Sequence, residues 1–435
     1  MRTDLSGKIA LVVDQGGLFL PVARRLARNG FGRVFYYQPW EEGFSKIYKA
    51  ITGDGYNDLE RCEDIWEVKD DVDCFVFPDV GMAGLQLELE AQGKRVWGSR
   101  KAVDLELDRP LFLKTLAELG LDVPKHVEII GINKLRQHLA EREDVYIKIS
   151  KYRGMLETCH WRSWELDKWL LDAWAVKFGP IGDRFPFLVF DAIDTPLEIG
   201  GDTYCVDGEW PALMLNGIEA KDKSYFSSVT KREDMPEEVL HILEAFGPVL
   251  GKDRYRNEFS MEARVTDTEV FFIDPTCRGG LPSTGSQLEL WDNFPQIVWH
   301  GAGGEMIDPD PAAQFSMECA LTMKGDPSSW SITDVPDELK DAMKLAGCCE
   351  VDGRTCFPPD ESHEGSIGWL VATGDTPKET LGEIKRLEAM LPDGVSAHIE
   401  AIADVIREVH QAQEDGIPFG DQPVPEPAAV VEGSD

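Results

Sequence analysis

The sequence predicts an α/β protein that opens on a doubly wound parallel sheet and continues into two further α+β regions. Three observations carry this. Short apolar runs alternate with amphipathic stretches over residues 8–97, the pattern of strands joined by crossover helices. Turn residues stand at the carboxyl ends of the first and third runs, Asp14-Gln15-Gly16-Gly17 and Pro78-Asp79-Val80-Gly81. Two longer strands later in the chain, Tyr255 to Val265 and Val270 to Asp274, meet across a tight turn at Thr266–Glu269.

Taken in order, Lys8 to Val13 is the first strand and Leu18 to Asn29 its helix. Arg33 to Tyr37, Cys74 to Phe77 and Arg95 to Trp97 are further strands, with a helix ending near Ala91. The Gly16-Gly17 turn lacks the spacing of a dinucleotide fingerprint, so no NAD-type site is expected. Asp104 to Gly120 reads as one helix; Val127 to Ile130 and Val145 to Ile149 read as strands. Trp161 to Phe178 reads as a tryptophan-rich helix, its four tryptophans expected in the core. Phe187 to Ile193 is a buried strand, and Glu237 to Leu250 a helix leading into the hairpin. Beyond Ser283 come a strand at Ile367–Ala372, a helix from Pro377 to Met390 with Thr376 as its cap, and a helix from Ala397 to Gln411. The expected divisions are 1–103, 104–300, 301–412 and an acidic, disordered tail, 413–435.

The chain has 435 residues and a net charge of −35, a field that repels phosphate backbones and anionic lipid, so extended nucleic acid is disfavoured as a partner. A local basic pocket for one nucleotide remains compatible with it, and Lys114, Lys148, Lys151 and Arg153 are candidates. Nine cysteines without a Cys-x-x-Cys pair or a zinc spacing read as reduced thiols. Without a secretory signal or a long apolar run, the expectation is a cytoplasmic protein, monomer or homodimer, that does not enter a membrane.

The hairpin carries the chemistry. Glu262 on the first strand, and Asp274, Thr276 and Arg278 on and after the second, offer two carboxylates, a hydroxyl and a guanidinium on rigid elements. Hard oxygens suit Mg²⁺, and Mn²⁺ as a substitute, while the arginine suits a phosphoryl group. Glu258 shares a strand face with Glu262 and competes as a ligand.

Ahead of this hairpin stand a lysine in a helix, a lysine ending a strand, and a linking strand. This order resembles the ATP-grasp superfamily, and within it the glycinamide ribonucleotide synthetase (phosphoribosylamine–glycine ligase) family, over residues 8–400. Val96 to Glu106 looks like that family's junction between first and ATP-grasp domains, and Arg109, Lys114 and Leu119 to Pro124 look like its lysine-bearing helix and following strand. Lys148 looks like the strand lysine that holds ATP phosphates, Phe187 to Ile193 like the strand beneath the adenine, and Glu198 like the ribose-binding acid. Three departures mark a divergent member. The family's Glu-x-Asn-x-Arg is Asp274-Pro-Thr276-Cys-Arg278 here, the phosphate loop has the single glycine Gly154, and Asn216 to Tyr225 does not look like the family's substrate segment.

The resemblance implies a two-lobed ATP-grasp domain, ATP with Mg²⁺, and a C–N ligase that joins a carboxylate to an amine through an acyl phosphate. It implies Lys114, Lys148, Arg153, Asp191, Ile193 and Glu198 at the nucleotide, Glu262, Asp274 and Thr276 at the metal, and Lys148 with Arg278 in catalysis. A glycine-like amino acid and an amine on a sugar or nucleotide are the expected substrates. Alternatives stay open: a degenerate nucleotide-binding module, a solvated helix face for Lys114, a structural salt bridge for Arg278, and, for Asp14, Asp79 and the Gly16-Gly17 turn at the strand ends of the first domain, either contact with the non-ATP substrate or simple turn roles.

Overall fold

The computed structural model describes residues 3–38, 51–150, 158–193, 198–324, 329–359, 366–417, 419–420 and 422–431. Two compact units are present. The larger comprises Met1–Ala102, Ile199–Met261 and Thr276–Asp435; the smaller comprises Val103–Glu198 and Glu262–Pro275.

The larger unit opens with strands β1 (Ile9–Val13), β2 (Arg33–Tyr37), β3 (Glu60–Arg61), β4 (Cys74–Val76) and β5 (Arg95–Trp97). They form a sheet in the order β3-β2-β1-β4-β5, with every neighbouring pair parallel. Their apolar runs are continuous because helices cover a parallel sheet on both faces. Leu11, Val13, Phe35, Phe75 and Val96 accordingly share one core with Leu89 of the helix Ala83–Ala91. The chain leaves β1 toward β2 on one side and reaches β4 on the other, so the carboxyl end of β1 is a topological switch point.

The smaller unit holds β6 (His126–Ile130), β7 (Val145–Lys148), β8 (Thr158–Trp161) and β9 (Pro186–Asp191), an antiparallel sheet ordered β6-β9-β7-β8. Leu135, Leu139, Ile147, Leu171, Trp174 and Phe187 form its core. Two local expectations change here. The stretch Asp104–Gly120 is two helices, Val103–Leu107 and Arg109–Leu119, because Asp108 caps the second through Leu111 N (3.3 Å) and Pro110 lies in its first turn. The tryptophan-rich helix begins at Trp164 after a Ser163 cap, and Trp161 ends β8 instead. Trp161 and Trp174 are buried, whereas Trp169 is 58% exposed.

A second sheet runs through β10 (Glu198–Val206), β11 (Leu213–Ala220), β12 (Ser224–Lys231), β13 (Arg256–Val265), β14 (Val270–Thr276), β15 (Phe315–Met323), and then β16 (Ser331–Thr333), β17 (Met343–Leu345), β18 (Cys349–Val351), β19 (Arg354–Phe357), β20 (Ser366–Gly374) and β21 (Val395–Ala397) supply the remaining strands. The order is β14-β13-β10-β11-β12-β15-β20-β17, with β21 also on β15, while β16, β19 and β18 make a small separate sheet. β15 pairs with β12, so β15, β17, β20 and β21 extend the preceding sheet, while β16, β18 and β19 stand apart from it. Thr376 caps its helix through Glu379 N, as expected. The tail carries order that its composition conceals. Phe419 is buried against Phe226, His410 meets Pro425 O at 3.0 Å, and Ala428–Val431 is a helical turn.

All nine cysteines are free thiols. Among the described residues, no helix is long and apolar enough to cross a membrane.

Candidate active site

In the smaller unit, alternation along β7 sends Val145 and Ile147 into the core and leaves Lys148 on the opposite face. Phe112, one turn on from Arg109, packs edge-on against Phe272 with ring centroids 5.2 Å apart. Asp122 accepts a hydrogen bond from Val270 N at 2.9 Å and fixes the start of β14. These contacts bring Arg109 to Asp274. Its guanidinium donates to Asp274 Oδ1 at 2.9 Å and to Ile273 O at 3.1 Å, and its own backbone N–H donates to Ser150 Oγ. Lys148 Nζ approaches Asp274 Oδ2 at 3.5 Å. Arg109 is 4% exposed and Lys148 15% exposed, so two poorly hydrated cations converge on one carboxylate. Such a group answers a polyanion well, because partial burial strengthens charge-assisted hydrogen bonds.

Lys114 lies elsewhere. Its ammonium is 71% exposed and pairs with Glu118 one turn along the helix at 3.6 Å, the solvated-face arrangement. Arg109 takes the inward position on that helix. Asp191 ends β9 in an ion-pair cluster with Lys125 (2.8 Å) and Arg142, and the Lys125 hydrogen bond, then Arg142, holds its carboxyl below the usual carboxylate range. Glu198 pairs with Arg264 at 2.7 Å. Ile193, just past β9, is half-buried. Lys151 and Arg153 lie outside the described residues.

Glu262 and Asp274 are partly exposed carboxylates of the smaller unit, and Thr276, two positions beyond Asp274 on β14, falls on the same strand face. Among the described residues no three His, Cys, Asp or Glu side chains form a metal-holding group. Carboxylate and hydroxyl oxygens are hard donors of the kind that suit Mg²⁺ carried in with a nucleotide and completed by phosphate oxygens and water.

In the larger unit, Glu258 is withdrawn from the role of metal ligand. It is 1% exposed, accepts the Thr284 hydroxyl at 3.1 Å, and is pushed up to about 7 by burial. Asp14 is fully buried and serves its turn, accepting Gly17 N (2.8 Å), Phe19 N (2.7 Å) and the Tyr36 hydroxyl (2.7 Å). Burial pushes it up to about 6. Asp79 and Arg278 are each 16% exposed, with Arg278 Nε 4.0 Å from Asp79 Oδ1. Arg278 also donates to Gly279 O at 2.8 Å.

No family model matches the chain, and no curated protein matches it by sequence. Solved structures do match it. The phosphoribosylamine–glycine ligase of Thermotoga maritima superposes with a TM-score of 0.64 at 16% identity, over 89% of this chain and 98% of that one. The chain has the ATP-grasp fold. The biotin carboxylase of Campylobacter jejuni matches with the same TM-score at 15% identity, over 90% and 93% of the two chains. An L-amino acid ligase from Bacillus licheniformis matches at 0.57 and 14% identity, over 91% and 99%. ATP-grasp architecture thus spans nearly the full length, with sequence likeness low enough to match the departures at Asp274–Arg278.

Proposed function

We propose that this protein is an ATP-dependent ligase that joins a carboxylate to an amine through an acyl phosphate. The observation that carries the proposal is Asp274 held between Arg109 and Lys148, a cationic seat with a metal-type carboxylate at its centre. In this reading the two cations bind ATP phosphates, and Glu262 and Asp274, with Thr276, hold Mg²⁺. The ion would neutralise charge on the β- and γ-phosphates. A substrate carboxylate oxygen attacks the γ-phosphorus and ADP leaves. The amine then attacks the acyl carbon, phosphate leaves with the C–O bonding pair, and the nitrogen sheds a proton. On the family resemblance, Arg278 is assigned to the acyl phosphate, whose charge a guanidinium would stabilise. Asp191, Ile193, Glu198 and Arg153 are assigned to the nucleoside end on the family resemblance. An amino acid as the acid and an amine on a sugar or nucleotide as the acceptor are the substrates this reading favours.

Hydroxylamine intercepts acyl phosphates as coloured hydroxamates, which tests the intermediate without knowledge of the amine. The expected result is hydroxamate formed only with ATP, Mg²⁺ and a carboxylate, and lost in Asp274→Asn. Full hydroxamate formation by Asp274→Asn would contradict the metal assignment.

A further inference from the structure

The carboxyl ends of β1 and β4 meet at the switch point of the first sheet, where α/β proteins bind small ligands, and of the residues assigned above Arg278 stands there. Two opposite charges stand there. Asp79 follows β4, and Arg278 follows β14. They are held face to face by bonds between their neighbours. Gly279 N donates to Pro78 O at 2.9 Å, Asn257 Nδ2 donates to Phe77 O at 3.2 Å and to Ser99 Oγ at 3.0 Å, and the Ser99 hydroxyl donates to Cys277 O. The backbones are thus stitched together while the charged groups stay at 4.0 Å, the outer limit of an ion pair, with part of each surface open.

The flanking residues are small. A Cβ on Gly16 would stand 3.0 Å from Asp79 Oδ2, and one on Gly81 would stand 2.3 Å from Gln15 Oε1. That Gln15 oxygen is buried and has no hydrogen-bond donor among the described residues. An anion, a cation and an unmet acceptor at one sheet end suit a ligand carrying both charges. A carboxylate set against Arg278 and an ammonium against Asp79 would complete an alternating square of charges, with Gln15 Oε1 accepting a second ammonium hydrogen.

We infer that Asp79, Arg278 and Gln15 form a zwitterion clamp, in which Asp79 and Gln15 recognise the free ammonium group of the amino acid already proposed as the acid, and Arg278 its carboxylate. The inference rests on the ligase reading and narrows it. Asp79 is the specificity-determining residue, because it separates an amino acid from the same acid without its amine.

Equilibrium dialysis of the full chain against an equimolar pool of the twenty standard amino acids, with ADP and Mg²⁺ present, tests it. Acetate and propionate serve as amine-free controls. The wild-type protein is expected to retain at least one amino acid and neither control. Asp79→Asn should weaken that retention roughly tenfold or more, the scale of a lost charged hydrogen bond, and leave ADP affinity unchanged. Gly16→Ala, which crowds Asp79 without removing its charge, should weaken it in the same direction and guards against misfolding of the first variant. Retention of no amino acid, or equal retention by Asp79→Asn, would overturn the clamp. The ADP bound in the same cells reports separately on the ligase reading: loss of nucleotide binding by the wild-type protein contradicts that reading whatever the amino acids do.

Discussion

Arg109 and Lys114 sit five residues apart on one helix and have opposite fates. A spacing of five turns the second side chain well away from the first, so only one of them can face inward. Arg109 is buried against Asp274, and Lys114 stands in solvent beside Glu118. Replacing Arg109 by Ala is expected to lower kcat/KM for ATP by roughly a hundredfold, the scale of losing one preorganised charge. Lys114→Ala should stay within about twofold, as solvated helix pairs are worth little. Initial-rate kinetics with varied ATP decide between them, and a large loss in Lys114→Ala would reverse the assignment. The lysine ending a strand was legible because strand alternation and the adjoining loop both pointed to Lys148. The arginine was not, since which side of a helix faces a distant strand depends on Phe112 meeting Phe272, a contact between residues far apart in the chain.

Among the elements, the segment from Gly279 to the helix Thr284–Leu290 rests on buried acids. Glu318 Oε1 accepts Ser283 N (3.2 Å), Ser286 N (2.7 Å) and the Ser286 hydroxyl (2.6 Å), while Glu258 accepts Thr284. Burial pushes both Glu258 and Glu318 up to about 7. Between the ordinary glutamate range and about 7, the folded protein therefore holds protons that the unfolded chain has released. Unfolding is then favoured as pH rises through that window, and the loss levels off above it. The cost is on the order of 3 kcal/mol per group by pH 8. Thermal midpoints of wild type should fall from pH 5 to pH 8, and Glu318→Gln should show a shallower fall. An unchanged slope in that variant would show that Glu318 does not carry the effect. Strands such as β1, β7 and β13 were readable from apolar runs and turns, whereas β10, β11, β12 and β15 had no counterpart in the sequence reading. Pairing β15 with β12 was not readable either, because residues about ninety apart meet there and no local pattern records such a partner.

At the scale of the whole molecule, a charge of −35 is the strongest statement of the composition. Like charges across the surface oppose compaction, and salt screens them, with a Debye length falling from about 10 Å at 0.1 M to about 3 Å at 1 M. The thermal midpoint is expected to rise between 20 mM and 1 M NaCl; a fall would mean that local ion pairs such as Arg33–Glu60 outweigh the net repulsion. The same field leaves Arg109, Lys148 and Arg278 as local exceptions, and these are the positions to which anionic groups are assigned. The doubly wound start and the later β13–β14 hairpin were visible in the sequence. The division into two units was less so, since each gathers segments separated by the other. In the proposed function, this ATP-grasp chain couples ATP to carboxylate activation. ADP release by the purified protein with ATP, Mg²⁺ and a pool of amino acids and amine-bearing nucleotides tests it most directly, with Lys148→Ala alongside. ADP release is expected to need both a carboxylate in the pool and Lys148. ATP that fails to bind, or ADP release that is equal in Lys148→Ala, would contradict it.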